Sequence, residues 1–238
     1  MSRHTKIVAT LGPASSTTEV LESLVQAGID VVRMNFSHGT VEDHIARATG
    51  IRAAAAKYGR TVGILGDLQG PKIRVGKFEG GKITLVPGEN FILDAQCPLG
   101  NQERVGLDYK DLPKDVVNGD ILLLDDGRLK LEVLGVRGRE IHTRVIVGGD
   151  LSNNKGINRQ GGGLTAPALT AKDMDDIKTA AQIGVDFVAV SFPKSAADMY
   201  MARQLLRAAG SSAVLIAKIE RVEAVTNLEE ILDASDGV

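Results

Sequence analysis

Cysteine is almost missing from this 238-residue sequence, with Cys97 the single example. One thiol excludes an internal disulfide and a thiolate metal cluster, and it suits a reducing cytosol, so a cytoplasmic protein is expected. Long apolar runs are missing too. None approaches the about 18 residues that a membrane-spanning helix needs. The opening Met1-Ser2-Arg3-His4-Thr5-Lys6 is charged but leads into no apolar segment long enough for a signal peptide. There is no excess of charge of either sign: 28 basic against 30 acidic residues leave a net charge of −2. Neither nucleic acid nor a membrane surface is therefore an expected partner, and any phosphate chemistry must rest on local basic residues. No repeat, coiled-coil pattern or low-complexity tract supports a purely structural role. What is present is ordinary for a globular protein: 43% hydrophobic and 24% charged residues, in a chain long enough for one large domain or two smaller ones.

The pattern changes character at Val62-Gly63-Ile64-Leu65-Gly66-Asp67-Leu68-Gln69-Gly70-Pro71-Lys72-Ile73-Arg74. An apolar run ending in a carboxylate reads as a buried parallel strand whose carboxyl end opens on solvent, and Gly70-Pro71 stops it. Before it, strand Ile7–Leu11 ends at Gly12-Pro13. Ser16 and Glu19 have capping-box spacing for a helix with Val20, Leu21, Leu24 and Val25 on one face, closed by Gly28. A strand begins at Val31 and runs into the polar Asn35-Phe36-Ser37-His38-Gly39. Thr40 and Asp43 then cap a helix with Ile45, Ala48, Ile51 and Ala55 inward. This β-α-β-α-β order predicts parallel strands joined by crossover helices.

From 72 to 167 the helical period disappears. Gly80-Gly81, Pro87-Gly88, Asp126-Gly127 and Arg137-Gly138 separate short apolar runs, as hairpin turns would, and predict a small, mostly antiparallel barrel or sandwich. The polar segment 152–158, with Gly161–Gly163 after it, reads as a returning hinge. Helices then resume: Thr170 and Asp173 cap one that ends at Gly184, strand 187–192 follows, Ser195 and Asp198 cap the next, then strand 214–220 and a helix over 222–232. Five parallel strands fit an open doubly wound sheet or the first part of an eight-stranded barrel. The first strand is not followed by a glycine-rich dinucleotide fingerprint, and chemistry-bearing residues sit at several strand ends in turn, which favours the barrel. A cleft between the α/β and β regions would lie beside Asp67, Lys72 and Arg74.

Those strand ends carry the functional reading. Arg33, Asn35, Ser37, Asp67, Lys218 and Glu220 stand where apolar residues would be expected, and a charge in a buried parallel strand needs a partner or a ligand. Lys218 and Glu220, two apart, share a face, so a cation and an anion can hold a phosphoryl group and a divalent metal side by side. The spacing is equally met if the two only neutralise other strand ends. His38 and Lys155 have blander readings, as a loop histidine and a solvated lysine.

Six motifs, VVRMNFSHG (Val31–Gly39), GDLQGPKIR (Gly66–Arg74), LLLDDG (Leu122–Gly127), NNKGIN (Asn153–Asn158), AVSF (Ala189–Phe192) and AKIE (Ala217–Glu220), resemble pyruvate kinase in order and spacing along essentially the whole chain, most closely the bacterial branch with Asp-Leu-Gln-Gly-Pro-Lys. The resemblance implies an α/β fold: a partial TIM (β/α)8 barrel, about the first five strands, with an inserted all-β lid domain. Residues 1–70 and 168–238 would form the barrel domain and 71–167 the lid. It implies phosphoryl transfer from phosphoenolpyruvate to ADP, giving pyruvate and ATP, with Mg2+ or Mn2+ as cofactor and a homotetramer as the family's assembly. Lys218 would meet the phosphoryl group in flight, Glu220 would bind the divalent metal and Arg33 would contact the transferring phosphate. Arg74, Lys155 and His38 would serve the substrate and nucleotide side.

Two departures follow from the same resemblance. In the potassium-dependent branch Asn35, Ser37, Asp67 and the Leu68 carbonyl would line a monovalent-cation pocket, with glutamate in place of Lys72; a lysine there supplies the charge internally, so K+ is not expected to be required. The family also continues beyond Val238 with a second metal-binding carboxylate and a threonine, so an N-terminal portion, inactive alone, is expected. The alternatives are a phosphate- and metal-binding regulatory module without turnover, or a different barrel enzyme acting on phosphoenolpyruvate or a carboxylate.

Overall fold

A computed structural model describes residues 4–71 and 73–238. The chain divides into two compact units, Met1–Pro71 with Pro167–Val238, and Lys72–Ala166.

The first unit opens with β1 (Val8–Leu11), a single 3-10 turn (Pro13–Ser15), α1 (Thr18–Ala27), β2 (Val31–Asn35), α2 (Val41–Lys57) and β3 (Gly63–Asp67). The second unit then contributes β4 (Lys82–Leu85), β5 (Asn90–Asp94), β6 (Arg104–Gly106), α3 (Leu112–Asp115), β7 (Ile121–Leu124), β8 (Leu129–Arg137), β9 (Glu140–Val147), β10 (Gly149–Ser152) and β11 (Ile157–Arg159). The first unit resumes with α4 (Ala171–Ile183), β12 (Phe187–Val190), α5 (Ala196–Ala208), β13 (Val214–Ala217), α6 (Val222–Thr226) and α7 (Leu228–Ala234).

The five strands of the first unit pair in parallel in the order β1-β2-β3-β12-β13. Strand order follows chain order without reversal, as in a barrel laid open; a doubly wound sheet reverses at a switch point. The sheet curls as a half-barrel. Its helix-facing side is apolar, with Val32, Met34, Ile64, Val188 and Leu215 fully buried against Val25, Ile51, Ile177 and Met199 of the helices. At the amino ends, three aspartates satisfy the opening N–H of a neighbouring strand. Asp30 accepts from Ile7 N (2.7 Å), Asp186 from Ile64 N (2.7 Å) and Asp236 from Leu215 N (2.8 Å). After Asp236 the chain runs parallel to β13, with Gly237 bridged to Ile216.

Two capping boxes stand where the spacing puts them, Thr40 with Asp43 on α2 and Thr170 with Asp173 on α4. Ser16 with Glu19 does not form one. The 3-10 turn draws the Ser16 hydroxyl back to Gly12 O (2.7 Å), and Thr17 caps α1 through Val20 N. Val20 is consequently exposed while Leu21 and Val25 are buried. Ser195 occupies the N-cap of α5 without a side-chain cap bond; Asp198 instead accepts from Lys194 N (2.7 Å). The helix expected over 222–232 is two helices broken at Asn227, whose side chain donates to Lys194 O (2.8 Å). Strands expected to reach Phe192 and Glu220 stop at Val190 and Ala217, so Lys218 and Glu220 stand just beyond a strand rather than within it.

The second unit is β-rich with one four-residue helix, α3. Its main sheet runs β11-β7-β8-β9-β5-β6, and β4 pairs with β10 separately. Asp126-Gly127 and Arg137-Gly138 are hairpin turns, joining β7 to β8 and β8 to β9. Pro87-Gly88 is not, because β4 pairs antiparallel with β10 and leaves β5 to β9. Arg74 is bridged to Gly156 beside β11, and Val75 to Leu107 beside β6, so this short segment links the two edges of the sheet. Phe91, Leu93, Val105, Leu122, Leu131 and Ile141 fill the interior. The segment 152–158 lies inside the second unit, where it closes β10 and opens β11, with Asn153 Oδ1 accepting from Phe78 N (2.8 Å).

Candidate functional site

Parallel pairing decides which strand-end side chains meet. Thr10 is the register partner of Arg33, Arg33 of Leu65, Asn35 of Asp67, and Asp67 of Ala189. Residues opposite one another share a face, and Ala189 opposite Ile216 carries that face to β13, two residues before Lys218. The carboxyl ends of β2, β3 and β13 therefore deliver Arg33, Asp67 and Lys218 to one place.

Asp67 is the floor of this cluster, its side chain only 4% exposed. Arg33 reaches Asp67 Oδ2 through Nη2 (2.6 Å) and Nε (2.7 Å), and donates from Nη1 to Thr10 Oγ1 (3.0 Å). Lys218 Nζ lies 3.1 Å from Asp67 Oδ1, donates to Ser191 Oγ (2.9 Å) and stands 3.4 Å from Glu220 Oε1. A carboxylate so deeply buried is tolerable because two cations pair with it. The outer faces stay open: Arg33, Lys218 and Glu220 side chains are 31%, 31% and 34% exposed. The result is two anchored positive charges facing outward beside one accessible carboxylate. Such a set can bind an anionic group and contribute one oxygen ligand to a divalent cation.

Ser191 and Thr10 are members that the sequence reading missed. Ser191, 2% exposed, also donates to Leu68 O (2.6 Å). The signal was a lone hydroxyl at the end of an apolar strand, in AVSF. The groups expected to line a monovalent-cation pocket each have a protein partner. Asn35 Oδ1 accepts from Ser37 N (3.0 Å), Leu68 O accepts from Ser191, and Asp67 holds the two cations. Lys72 lies outside the described residues.

The turn after β2 is braced from behind. Phe36 N donates to Asp67 O (3.0 Å) and Phe36 O accepts from Lys172 Nζ (2.6 Å). The Phe36 ring packs on the buried His44 with centroids 4.6 Å apart, and on Gly66, where a Cβ would come 2.7 Å from the ring. Burial holds the His44 imidazole below its usual pKa, and Arg47 and Lys172 act in the same direction. His38 is exposed, its backbone N–H bonded to Asn35 O (3.2 Å), and its side chain takes no part in the cluster.

Arg74 and Lys155 belong to the second unit, where they are neighbours. Arg74 is bridged to Gly156, and Val75 N donates to Lys155 O (2.9 Å). Lys155 Nζ pairs with Asp125 Oδ1 (2.7 Å) in the β7–β8 turn, and Asp108 takes Arg74 N (2.6 Å). Burial raises the Asp108 carboxyl above its usual pKa, against the opposing effect of those N–H donors.

Among the described residues no group of three or more His, Cys, Asp or Glu side chains is placed to hold a metal ion. Glu220 alone offers an accessible carboxylate beside the cations. That fits Mg2+, which binds through one or two protein carboxylates and completes its shell with water and substrate phosphate oxygens.

A half-barrel of parallel strands with charged groups gathered at their carboxyl ends is the arrangement in which barrel enzymes carry their sites. The chain matches the family "Pyruvate kinase, barrel domain" over residues 2–238 and belongs to that family. It is 60% identical over 239 residues to the pyruvate kinase of Haemophilus influenzae, covering 98% of this chain and 50% of that protein. It is 58% identical to pyruvate kinase II of Salmonella typhimurium (99% and 50% covered) and 46% identical to the pyruvate kinase of Mycobacterium intracellulare (100% and 50% covered). The chain thus spans about half the length of the curated relatives it matches.

Proposed function

We propose that these residues form the phosphoenolpyruvate-facing part of a pyruvate kinase site. In the reaction the enol-phosphate P–O bond breaks, a β-phosphate oxygen of ADP bonds the phosphorus, and the enolate left behind takes a proton to become pyruvate. The observation that carries the reading is the anchoring of Arg33 and Lys218 on one buried carboxylate, with their outer faces open. Phosphoryl transfer asks a protein chiefly for position and for charge opposite the transferring oxygens, and fixed cations supply both without reorganising. Lys218 is assigned to the phosphoryl group and Arg33 to the transferring phosphate. Glu220 is the residue that would hold Mg2+ or Mn2+, which would supply positive charge opposite the phosphate. Arg74, Lys155 and His38 are assigned to the nucleotide side, and residues 72–166 to a lid.

K+ is proposed to be dispensable. Besides Lys72, the reading is supported by Arg33 and Lys218, which already bring positive charge to Asp67. A homotetramer and a cytoplasmic setting are proposed by family; no helix among the described residues is long and apolar enough to cross a membrane. Because the relatives are about twice as long and Glu220 is a single metal carboxylate, the 238 residues alone are expected to bind without turnover.

The test is calorimetric titration of the 238-residue chain with phosphoenolpyruvate and MgCl2, without ADP. Saturable binding that Lys218→Met abolishes supports the reading, and no binding overturns it. Binding with no ATP formation after ADP is added is the expected full result, and it is also what a regulatory module would give. Supplying the remaining half of a full-length relative separates the two, since only the kinase reading predicts turnover then.

A further inference from the structure

We propose that Ser191 is a positioning residue for Lys218. The proposal rests on the reading that Lys218 faces the phosphoryl group. Three residues meet the Lys218 ammonium, Ser191 Oγ at 2.9 Å, Asp67 Oδ1 at 3.1 Å with Oδ2 at 3.5 Å, and Glu220 Oε1 at 3.4 Å, and the part-exposed Glu220 contact is the one an incoming phosphate would displace. Two of these are carboxylates that pull the lysine along their own line. Ser191 is the neutral one, and its distance is the shortest.

The hydroxyl is not free to turn. Its single proton is committed to Leu68 O at 2.6 Å, which leaves only lone pairs to face Lys218. The backbone is clamped as well. Phe192, the next residue, has φ 58°, a left-handed conformation that is costly for a bulky side chain. It packs against Gly70 (φ 64°), where a Cβ would lie 2.9 Å from Ser191 Cβ and from Ser191 O. Gly70 is itself held, because its N–H donates to Asp173 Oδ1 (3.0 Å), the fully buried carboxylate that also caps α4 through Thr170. The Arg221 guanidinium lies 5.9 Å from the Phe192 ring centroid. The left-handed Phe192 and its contact with Gly70 fix the turn that holds the Ser191 oxygen against the Lys218 ammonium.

Without that oxygen Lys218 is left to Asp67 and Glu220 and turns inward, away from an incoming phosphate. Ser191→Ala is expected to weaken phosphoenolpyruvate binding in the presence of MgCl2 about tenfold, the scale of one hydrogen bond to a charged group. Ser191→Thr, which keeps the hydroxyl, is expected to recover most of it. The direct readout is the Lys218 ammonium resonance in 15N-lysine NMR of the 238-residue chain without ligand, assigned by its loss in Lys218→Met. It should shift or broaden in Ser191→Ala and in Ser191→Cys, and return in Ser191→Thr.

An ammonium signal unchanged in the Ala and Cys variants overturns the proposal. So does failure of both to fold, which would make the hydroxyl a structural member only. A signal that moves in a chain that never binds phosphoenolpyruvate leaves the positioning standing and sinks the phosphoryl-transfer reading instead.

Discussion

The two units handle charge in opposite ways. In the parallel half-barrel, ionic side chains converge: Arg33, Lys218 and Glu220 gather around Asp67, which is almost without contact with solvent. In the second unit they stand mostly as separate pairs, with Arg104 the exception, since it meets both Asp94 (3.1 Å) and Glu140 (2.9 Å). Glu132 stands opposite Arg144 in register with an ion pair of 2.6 Å, and Lys82 pairs with Asp150 at 2.7 Å with both side chains more than half exposed. The difference follows from topology. Crossover helices cover the outer face of a parallel sheet and place every carboxyl end on the same side, so polar side chains have a common outlet. The second unit's main sheet is antiparallel except where β5 pairs with β6, and strands that reverse direction send their ends to both sides, so its charges are spread along the strands. The lesson is that similar ion-pair distances mean different things in the two units.

The sharpest way to break this contrast is to remove the shared counter-ion. Asp67→Ala removes the buried counter-ion of two part-exposed cations and is expected to cost about 2–4 kcal/mol, read as a lower urea midpoint. A loss no greater than that of an exposed pair would erase the distinction between the units. Next comes backbone crowding, where the second unit is the more demanding. A Cβ at Gly106 would lie 2.3 Å from Cys97 O, a backbone atom, whereas one at Gly66 meets a side-chain ring that can shift. Gly106→Ala is expected to destabilise by about 1–3 kcal/mol and Gly66→Ala by less, in paired thermal unfolding.

Smaller again is a pH effect confined to the first unit. The folded His44 pKa lies below its unfolded value of about 6.5, so the folded chain binds fewer protons in the window between the two. Stability contributed by neutral His44 is then complete above the unfolded value and is lost as pH falls through the folded one. The charged neighbours Arg47 and Lys172 oppose protonation, Asp43 favours it, and the His38 backbone contact also favours it. His44→Leu should flatten the decline of stability below pH about 6.5, measured as urea midpoints across pH; an unchanged slope would assign that decline elsewhere. The smallest effect is expected on the β4–β10 surface. Asp150→Asn, which removes the exposed partner of Lys82, should leave the midpoint unchanged within error, and a clear drop would mean that surface pairs in this unit behave like the buried cluster.

Much of the first unit was legible because its signals are local. Thr40 with Asp43 and Thr170 with Asp173 satisfy helix N-terminal N–H groups within one turn, so their spacing suffices. Ser16 with Glu19 has the same spacing and fails, since a 3-10 turn three residues earlier claims the serine. Pro87-Gly88 looked like a hairpin turn and is not one, because strand partnership is a non-local choice that a turn residue does not make. The candidate site was half visible. Arg33, Asp67, Lys218 and Glu220 stand out as charges in apolar surroundings, while Ser191 and Thr10 are small hydroxyls that fit a strand unnoticed.

The chain order of amino acids thus determined, by itself, the kinds and succession of elements, the family, and which strand ends carry charge, since each depends on neighbours within a turn or a strand. Tertiary structure alone decided that Asp67 is a shared counter-ion, that Ser191 stands between Lys218 and Leu68, and that Arg74 lies beside Lys155. These contacts join residues 34 to 151 positions apart in the first case and 81 in the last. Only the pairing register of β2, β3, β12 and β13, and the closure of the second unit's sheet, bring such distant atoms within hydrogen-bonding reach.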